Sequence, residues 1–326
     1  MSPSTAIGGY FGLELTYRGE IPHAGAAAFQ SARAAFLALL REVRPSRVWM
    51  PWFICDSMLE PLRMAGVPFG RYSLDESLSI DAGLVPARDE WVLYVNYFGL
   101  RDAYCRSLLE RFDPSQVIID NAQSFYSEAL GAGATLYSPR KFFGVPDGGL
   151  LVTSRAVRPP QVEDTGSLAR CRHLLLRTAA DAEAGYAAFT EAEATFVQQE
   201  PRALSKLTRA LMQSIDYARV RDRRRRNFER LHAELCATNE LQIELGDSAT
   251  PMCYPYRTRD LGLRARLSTS RIYVPTYWPE VVRADAGVPT SQRDLASTLV
   301  PLPCDQRYSV RDMETILEVV SAGRHS

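Results

Sequence analysis

Apolar residues follow two alternating rhythms along the first half of the chain. Residues 25–42 (GAAAFQSARAAFLALLRE) set Ala, Phe and Leu at helical spacing behind a small-residue opening. RVWMPWFI (47–54) is a dense apolar run of the kind buried on both faces of a sheet, and it leads into a loop. CDSMLEPLRMAG (55–66) predicts a helix ended by Gly66, VPFGRYSL (67–74) a short strand, and EWVLYVNYFG (90–99) a strong strand stopped at Gly99. DAYCRSLLERF predicts a further helix. QVIIDNAQ (116–123) predicts an apolar strand with a polar carboxyl end, and GGLLVTS (148–154) completes the series.

Strands alternating with helices imply an α/β protein with a mostly parallel sheet covered by helices, whose functional groups gather at the carboxyl ends of the strands. Asn96, Asp120 and Asn121 fall there. Residues 155–200 carry no strong period and are expected to form helical and loop excursions lining a substrate entrance or a subunit contact. From Ser205 one long helical stretch is expected to run to Leu235, with Leu211, Ile215, Val220, Phe228, Leu231 and Leu235 on its apolar side. Its RDRRRRN run is interrupted by acidic residues and reads as a solvated face rather than a nucleic-acid site. CYPYRT, RIYVPTYW and SVRDMETILEVV then suggest a small α/β domain, so the expected division is a large domain over 1–210 and a small one over 211–326.

Charge narrows the partners. Basic and acidic residues balance at 38 each, so no summed field draws nucleic acid or an anionic membrane, and a small-molecule substrate is expected. No apolar run approaches the roughly 20 residues of a membrane span, and MSPSTAIGGYFG lacks a signal pattern; a cytoplasmic protein is expected. The 6 cysteines are scattered, without C-x-x-C pairs or metal-ligand spacing, so no metal is expected.

Lysine use is informative. Of 38 basic residues only Lys141 and Lys206 are lysine. Arginine replaces lysine freely as a surface charge, but a guanidinium does not lose its proton to become an amine nucleophile. Lys141 lies in YSPRKFFGVPDGG (137–149), among aromatics and prolines before a tight turn. That setting predicts a dry, positioned lysine whose ammonium form is disfavoured by desolvation; an incidental lysine in a hairpin turn is the plainer alternative. Asp120, ending VIID, is placed to pair with a protonated ring nitrogen, or to serve as a turn or N-cap aspartate. FQSARAAF (29–36) puts small residues before a helix whose first N–H groups can take a phosphate.

Taken in order, DNAQSF followed by YSPRKFFGVPDGG resembles the paired motifs of the DegT/DnrJ/StrS sugar aminotransferase family, with Gly148–Gly149 at the family's spacing from the lysine. SARAAF, PWFICDS and LVPLPCDQRYSVRDMETIL extend the resemblance over most of the chain. It implies the fold type I architecture of pyridoxal-phosphate (PLP) transferases, with Lys141 as Schiff-base former and proton shuttle and Asp120 as pyridinium partner. It further implies Gln123 near the ring hydroxyl, Ala32 and Arg33 at the phosphate, and Phe53 of the Trp52–Phe53 loop over the ring. Asn96, at a strand's carboxyl end, and Ser138, beside the lysine, complete the candidate cofactor contacts. Two family features are missing: the phosphate-binding Ser five residues before the lysine is Leu136 here, with Ser138 or the Arg33 side chain as substitutes, and the Gly-Tyr-Asn-Tyr-Arg segment is not recognisable between 155 and 215.

The resemblance implies transfer of an amino group from a donor to a keto acceptor, a nucleotide-linked keto-sugar, by a homodimer. Elimination, decarboxylation or condensation on an amino-acid-like substrate would use the same lysine and carboxylate, and a catalytically inactive PLP-fold binding protein is the third reading.

Overall fold

The computed structural model describes residues 9–157, 160–283 and 287–324; the N-terminal octapeptide lies outside them. A short strand β1 (Ala27–Phe29) precedes helix α1 (Ala32–Val43), so the 25–42 stretch is strand and helix in succession rather than helix throughout. The cause is local: Ser31 is extended (φ −158°, ψ 160°), and its hydroxyl accepts from the Ala34 N–H at 3.1 Å, which starts the helix there. The predicted alternation follows as β2 (Arg47–Pro51), α2 (Glu60–Ala65), β3 (Phe69–Tyr72), β4 (Glu90–Val95), α3 (Asp102–Arg111) and β5 (Val117–Asn121). Gly66 ends α2 in the left-handed conformation, φ 68°.

After β5 comes a strand the pattern did not predict, β6 (Ala134–Tyr137), and then β7 (Gly149–Thr153). The seven strands lie in the order β1-β7-β6-β5-β4-β2-β3, with β6 through β3 mutually parallel and β7 and β1 added antiparallel. This is the expected mostly parallel, helix-covered α/β sheet. All of β5 and β6 is buried, as strands covered on both faces must be.

Residues 155–200 fold as three helices, α4 (Ser167–Arg170), α5 (Arg172–Ala179) and α6 (Ala182–Ala194). The long helix expected from Ser205 is two, α7 (Lys206–Gln213) and α8 (Tyr217–Leu235), because Asp216 caps a new start by accepting from the Arg219 N–H at 3.0 Å. The anticipated domain boundary near 210 falls inside α7.

The RDRRRRN run is also not wholly solvated. Arg224 is 2% exposed, and its guanidinium donates to the carbonyls of Pro251, Met252 and Phe142.

Beyond α8 the chain forms β8 (Tyr254–Arg257), α9 (Leu263–Thr269), α10 (Pro279–Arg283), α11 (Thr290–Thr298), β9 (Leu299–Leu302) and α12 (Val310–Ser321). β8 and β9 pair antiparallel, and RIYVPTYW forms no strand. A second apolar cluster of Phe228, Leu231, Tyr254, Leu302, Ile316 and neighbours packs here, apart from the core around the large sheet. No helix among the described residues is long and apolar enough to cross a membrane.

Candidate active site

A cavity of about 170 Å3 opens at the carboxyl edge of the sheet. Ile54 and Cys55 reach it from the segment after β2, Val95 from the end of β4, Asp120 from the end of β5, and Ser138 from the residue after β6. Parallel strands deliver these groups together because their carboxyl ends all lie on one edge.

The first turn of α1 closes one side with Ser31, Ala32 and Arg33. What lets it approach is Gly149: a Cβ there would lie 2.1 Å from the Ser31 carbonyl carbon and 2.3 Å from the Ala32 nitrogen. Gly148, at φ +119°, donates its N–H to the Gln30 carbonyl at 2.8 Å and carries β7 into that contact. The Gly-Gly pair thus sets the helix start against the sheet, and most of that first turn's N–H groups have no partner within the helix.

Asp120 is buried, 4% exposed, and one carboxylate oxygen accepts from the Ala122 N–H at 2.9 Å. Burial raises its pKa above the ordinary carboxyl range, while the Lys141 charge and the Ala122 hydrogen bond pull it back. A cationic N–H placed against it would stabilise the carboxylate further. Gln123 shares the wall, but its Oε1 is committed to the Phe98 N–H at 2.8 Å, supporting the unusual φ of 60° at Phe98. The Nε2 protons are therefore what Gln123 can offer a ligand, and they suit an oxygen acceptor.

Lys141 ends a short 3-10 turn, Pro139–Lys141, and lines the same cavity. It is exposed, which corrects the expectation of a dry lysine: no element among the described residues buries it. Its backbone, in contrast, is well held. The next residue, Phe142, is buried, and its carbonyl accepts from Arg224 Nη2 at 3.1 Å and Gln306 Nε2 at 2.6 Å. Two residues from the C-terminal part thereby fix the turn that carries the amine.

Six of the eight predicted cofactor contacts, Ala32, Arg33, Asp120, Gln123, Ser138 and Lys141, meet on this wall. Phe53 does not. It is fully buried, edge-on to Trp278 at 4.1 Å and tilted against Tyr97 at 5.6 Å, so its ring belongs to the core. Trp278 takes the place expected of it as the one aromatic lining the cavity among the described residues.

Asn96 is likewise outside the cavity. Its amide donates to Asp102 at 2.6 Å and Asn121 at 3.1 Å and its oxygen accepts from the Arg101 N–H at 3.1 Å, a linkage that ties β4 to α3.

Trp278, Arg140 and Glu193 were missed in the sequence. Trp278 follows RIYVPT far from the motifs, in a left-handed conformation at φ 52° that no local pattern announces. Arg140 was in view beside Lys141, whereas Glu193 sits in the last turn of α6 and meets Arg140 only through the fold.

Among known proteins, no family model and no curated sequence matches the chain. Solved structures do match in fold. A sugar aminotransferase from Micromonospora echinospora superposes with a TM-score of 0.63 over 91% of this chain and 87% of its own, at 16% identity. The chain has the aminotransferase fold. A DegT DnrJ EryC1 StrS aminotransferase from Brucella abortus shares it, with a TM-score of 0.59 at 16% identity over 93% of this chain and 86% of that one. So does NtdA from Bacillus subtilis, solved with bound cofactor PMP, with a TM-score of 0.63 at 16% identity over 91% and 73% of the two chains. Within this aminotransferase fold, the cavity described above is the one that brings the lysine and the buried aspartate together.

Proposed function

We propose that the protein is a PLP-dependent aminotransferase of the DegT/DnrJ/StrS type, with Lys141 and Asp120 as its catalytic residues. The observation that carries the reading is the meeting of the Lys141 amine and the buried Asp120 carboxylate in one cavity, closed by a helix start. The residues fit the cofactor: a carboxylate for a ring N–H, an amide donor for a ring oxygen, an aromatic wall, and N–H groups and guanidinia for a phosphate. When bound, PLP supplies an aldehyde carbon and a ring that accepts the electron pair released at the substrate carbon.

The chain's own groups then have distinct tasks. With PLP bound, Lys141 Nζ would hold the cofactor through its aldehyde carbon and, as the free amine, would take and return the substrate's proton. Asp120 would accept the ring N–H and keep that nitrogen protonated. Gln123 Nε2 would donate to the ring oxygen, and Trp278 and the aliphatic wall would exclude water. Arg224 and Gln306 hold the Phe142 carbonyl and so restrict the arc through which the amine moves.

For the acceptor we infer a keto-sugar carried on a nucleotide. A structure described as a sugar aminotransferase and another solved in the presence of its TDP-sugar product, both of which this fold resembles along nearly its whole length, support that inference. We infer also a homodimer. Lys141 is left exposed by the described residues, and apolar side chains stand exposed at Tyr10, Phe11 and Leu13 and at Leu168, Leu175 and Tyr186, surface that a second copy would bury.

Incubation with PLP followed by borohydride should fix a phosphopyridoxyl mass on the peptide containing Lys141. Glutamate alone should then yield one 2-oxoglutarate per active site, with a keto-sugar nucleotide needed for turnover. Label on Lys206 instead, or none, would sink the assignment. Sedimentation giving a fully active monomer would remove the dimer.

A further inference from the structure

The cavity holds more positive charge than its own carboxylates answer. Arg33, Arg140 and Lys141 line it against Asp120 and Glu193. Arg140 Nη2 is paired with Glu193, yet the other nitrogens of that guanidinium have no acceptor among the described residues. Arg33 is less satisfied still: its nearest carboxylate oxygens, on Glu60 and Glu193, are each 4.0 Å away, beyond hydrogen-bond reach. Its side chain is only 18% exposed, so a whole fork of donors faces the cavity with no hydrogen-bond acceptor among the described residues.

Both guanidinia are held in place from behind. The ring of Phe196 lies 5.6 Å from the Arg33 carbon and 4.6 Å from that of Arg140, so one buried aromatic orients the pair. Burial, and for Arg140 the nearby Arg33 charge, lowers both pKa values, that of Arg140 to about 10. Two like charges drawn together in a partly dry site are stabilised by an anion.

The geometry points to Arg33 and Arg140 as the seat of the cofactor's phosphate, with Glu193 as a resident counter-ion that gives way when the phosphate arrives. The inference rests on the proposed function and answers which residues stand in for the serine absent at Leu136. That position cannot help: Leu136 is fully buried within β6, paired with Asp120 in the sheet. Ser31 does not compete either, since its hydroxyl is the cap of α1. A phosphate dianion presents enough oxygens for both guanidinium forks and for the N–H groups at the start of α1, whereas a single carboxylate fills one fork.

Glu193 is suited to yielding. It sits in the last turn of α6, where the helix macrodipole disfavours a carboxylate, and its side chain is 36% exposed, so water receives it at small cost.

The test separates phosphate from aldehyde by comparing PLP with pyridoxal, which lacks the phosphate, in equilibrium binding to the full-length apo-protein. Losing a charge-assisted contact should weaken PLP by about 10- to 100-fold in Arg33→Gln and in Arg140→Gln, with pyridoxal within about twofold of wild type. Glu193→Gln should tighten PLP and leave pyridoxal unchanged.

Calorimetry with inorganic phosphate alone should follow the same order and does not depend on Lys141 or an aldehyde, so it reads the seat even where the cofactor assignment fails. Thermal melts of each variant exclude misfolding as the cause. Unchanged PLP-to-pyridoxal ratios in both arginine variants would overturn the seat. Equal loss of both aldehydes in Glu193→Gln would overturn the counter-ion role.

Discussion

Three arginines meet at Phe196 in two settings, which differ in how far the protein completes them. On one side Arg170, 2% exposed, lies 4.7 Å from the ring and is paired with both Asp147 and Asp164, which are themselves buried. Asp147 also accepts from the hydroxyls of Ser167 and Thr208. Every charge in this knot has a partner. On the other side Arg33 and Arg140 share one half-exposed glutamate and face a cavity. The closed knot ties α4 and α7 to the loop before β7, whereas the open group is left for something from outside. One segment serves both, since VPDGG puts Asp147 into the knot and Gly149 against the start of α1.

Breaking the closed side should have the largest effect. Arg170→Met leaves two buried carboxylates unpaired and should cost about 3–5 kcal/mol in denaturant unfolding; a loss below about 1 kcal/mol would mean the knot contributes little and the contrast fails. Gly149→Ala, acting on the open side, drives a methyl into the Ser31–Ala32 peptide and should cost about 1–3 kcal/mol. It should also weaken PLP more than pyridoxal, because it displaces the helix start. Phe196→Leu removes the ring shared by both sides and should cost about 1 kcal/mol, with PLP affinity falling further than stability alone explains.

The smallest effect concerns Asp120 and is read through pH. Its folded pKa is raised, so the unfolded chain gives up this proton first. Ionising Asp120 therefore opposes folding as pH rises through the folded value, and the penalty is absent below the unfolded pKa of about 4. Apo Asp120→Asn should be more stable than wild type at neutral pH, with the advantage vanishing in acid. An advantage that persists below about pH 4 would assign it to packing instead.

Local pattern was enough to reveal the alternation of strands and helices, the cap at Gly66 and the segment around Lys141, although the strand expected to run to Gly99 ends at Val95. These depend on neighbours within a few residues, and a parallel sheet then brings strand ends together without further instruction. β6 escaped because ATLY is a four-residue run of small and mixed side chains whose identity as a strand comes from pairing with β5 and β7.

What the sequence by itself determined is the class of fold, from the alternation of strands and helices, and the choice of Asp120 and Lys141 as candidates, which the structure brings to one cavity. Only the tertiary structure decided that Phe53 is core and Trp278 is wall, that Arg224 is a buried strut rather than a solvated charge, and that Glu193 sits across from Arg140. The physical reason is that burial and charge pairing are settled between residues tens to hundreds of positions apart, and an arginine looks the same in a sequence whether its partner is water, a carbonyl or a waiting phosphate.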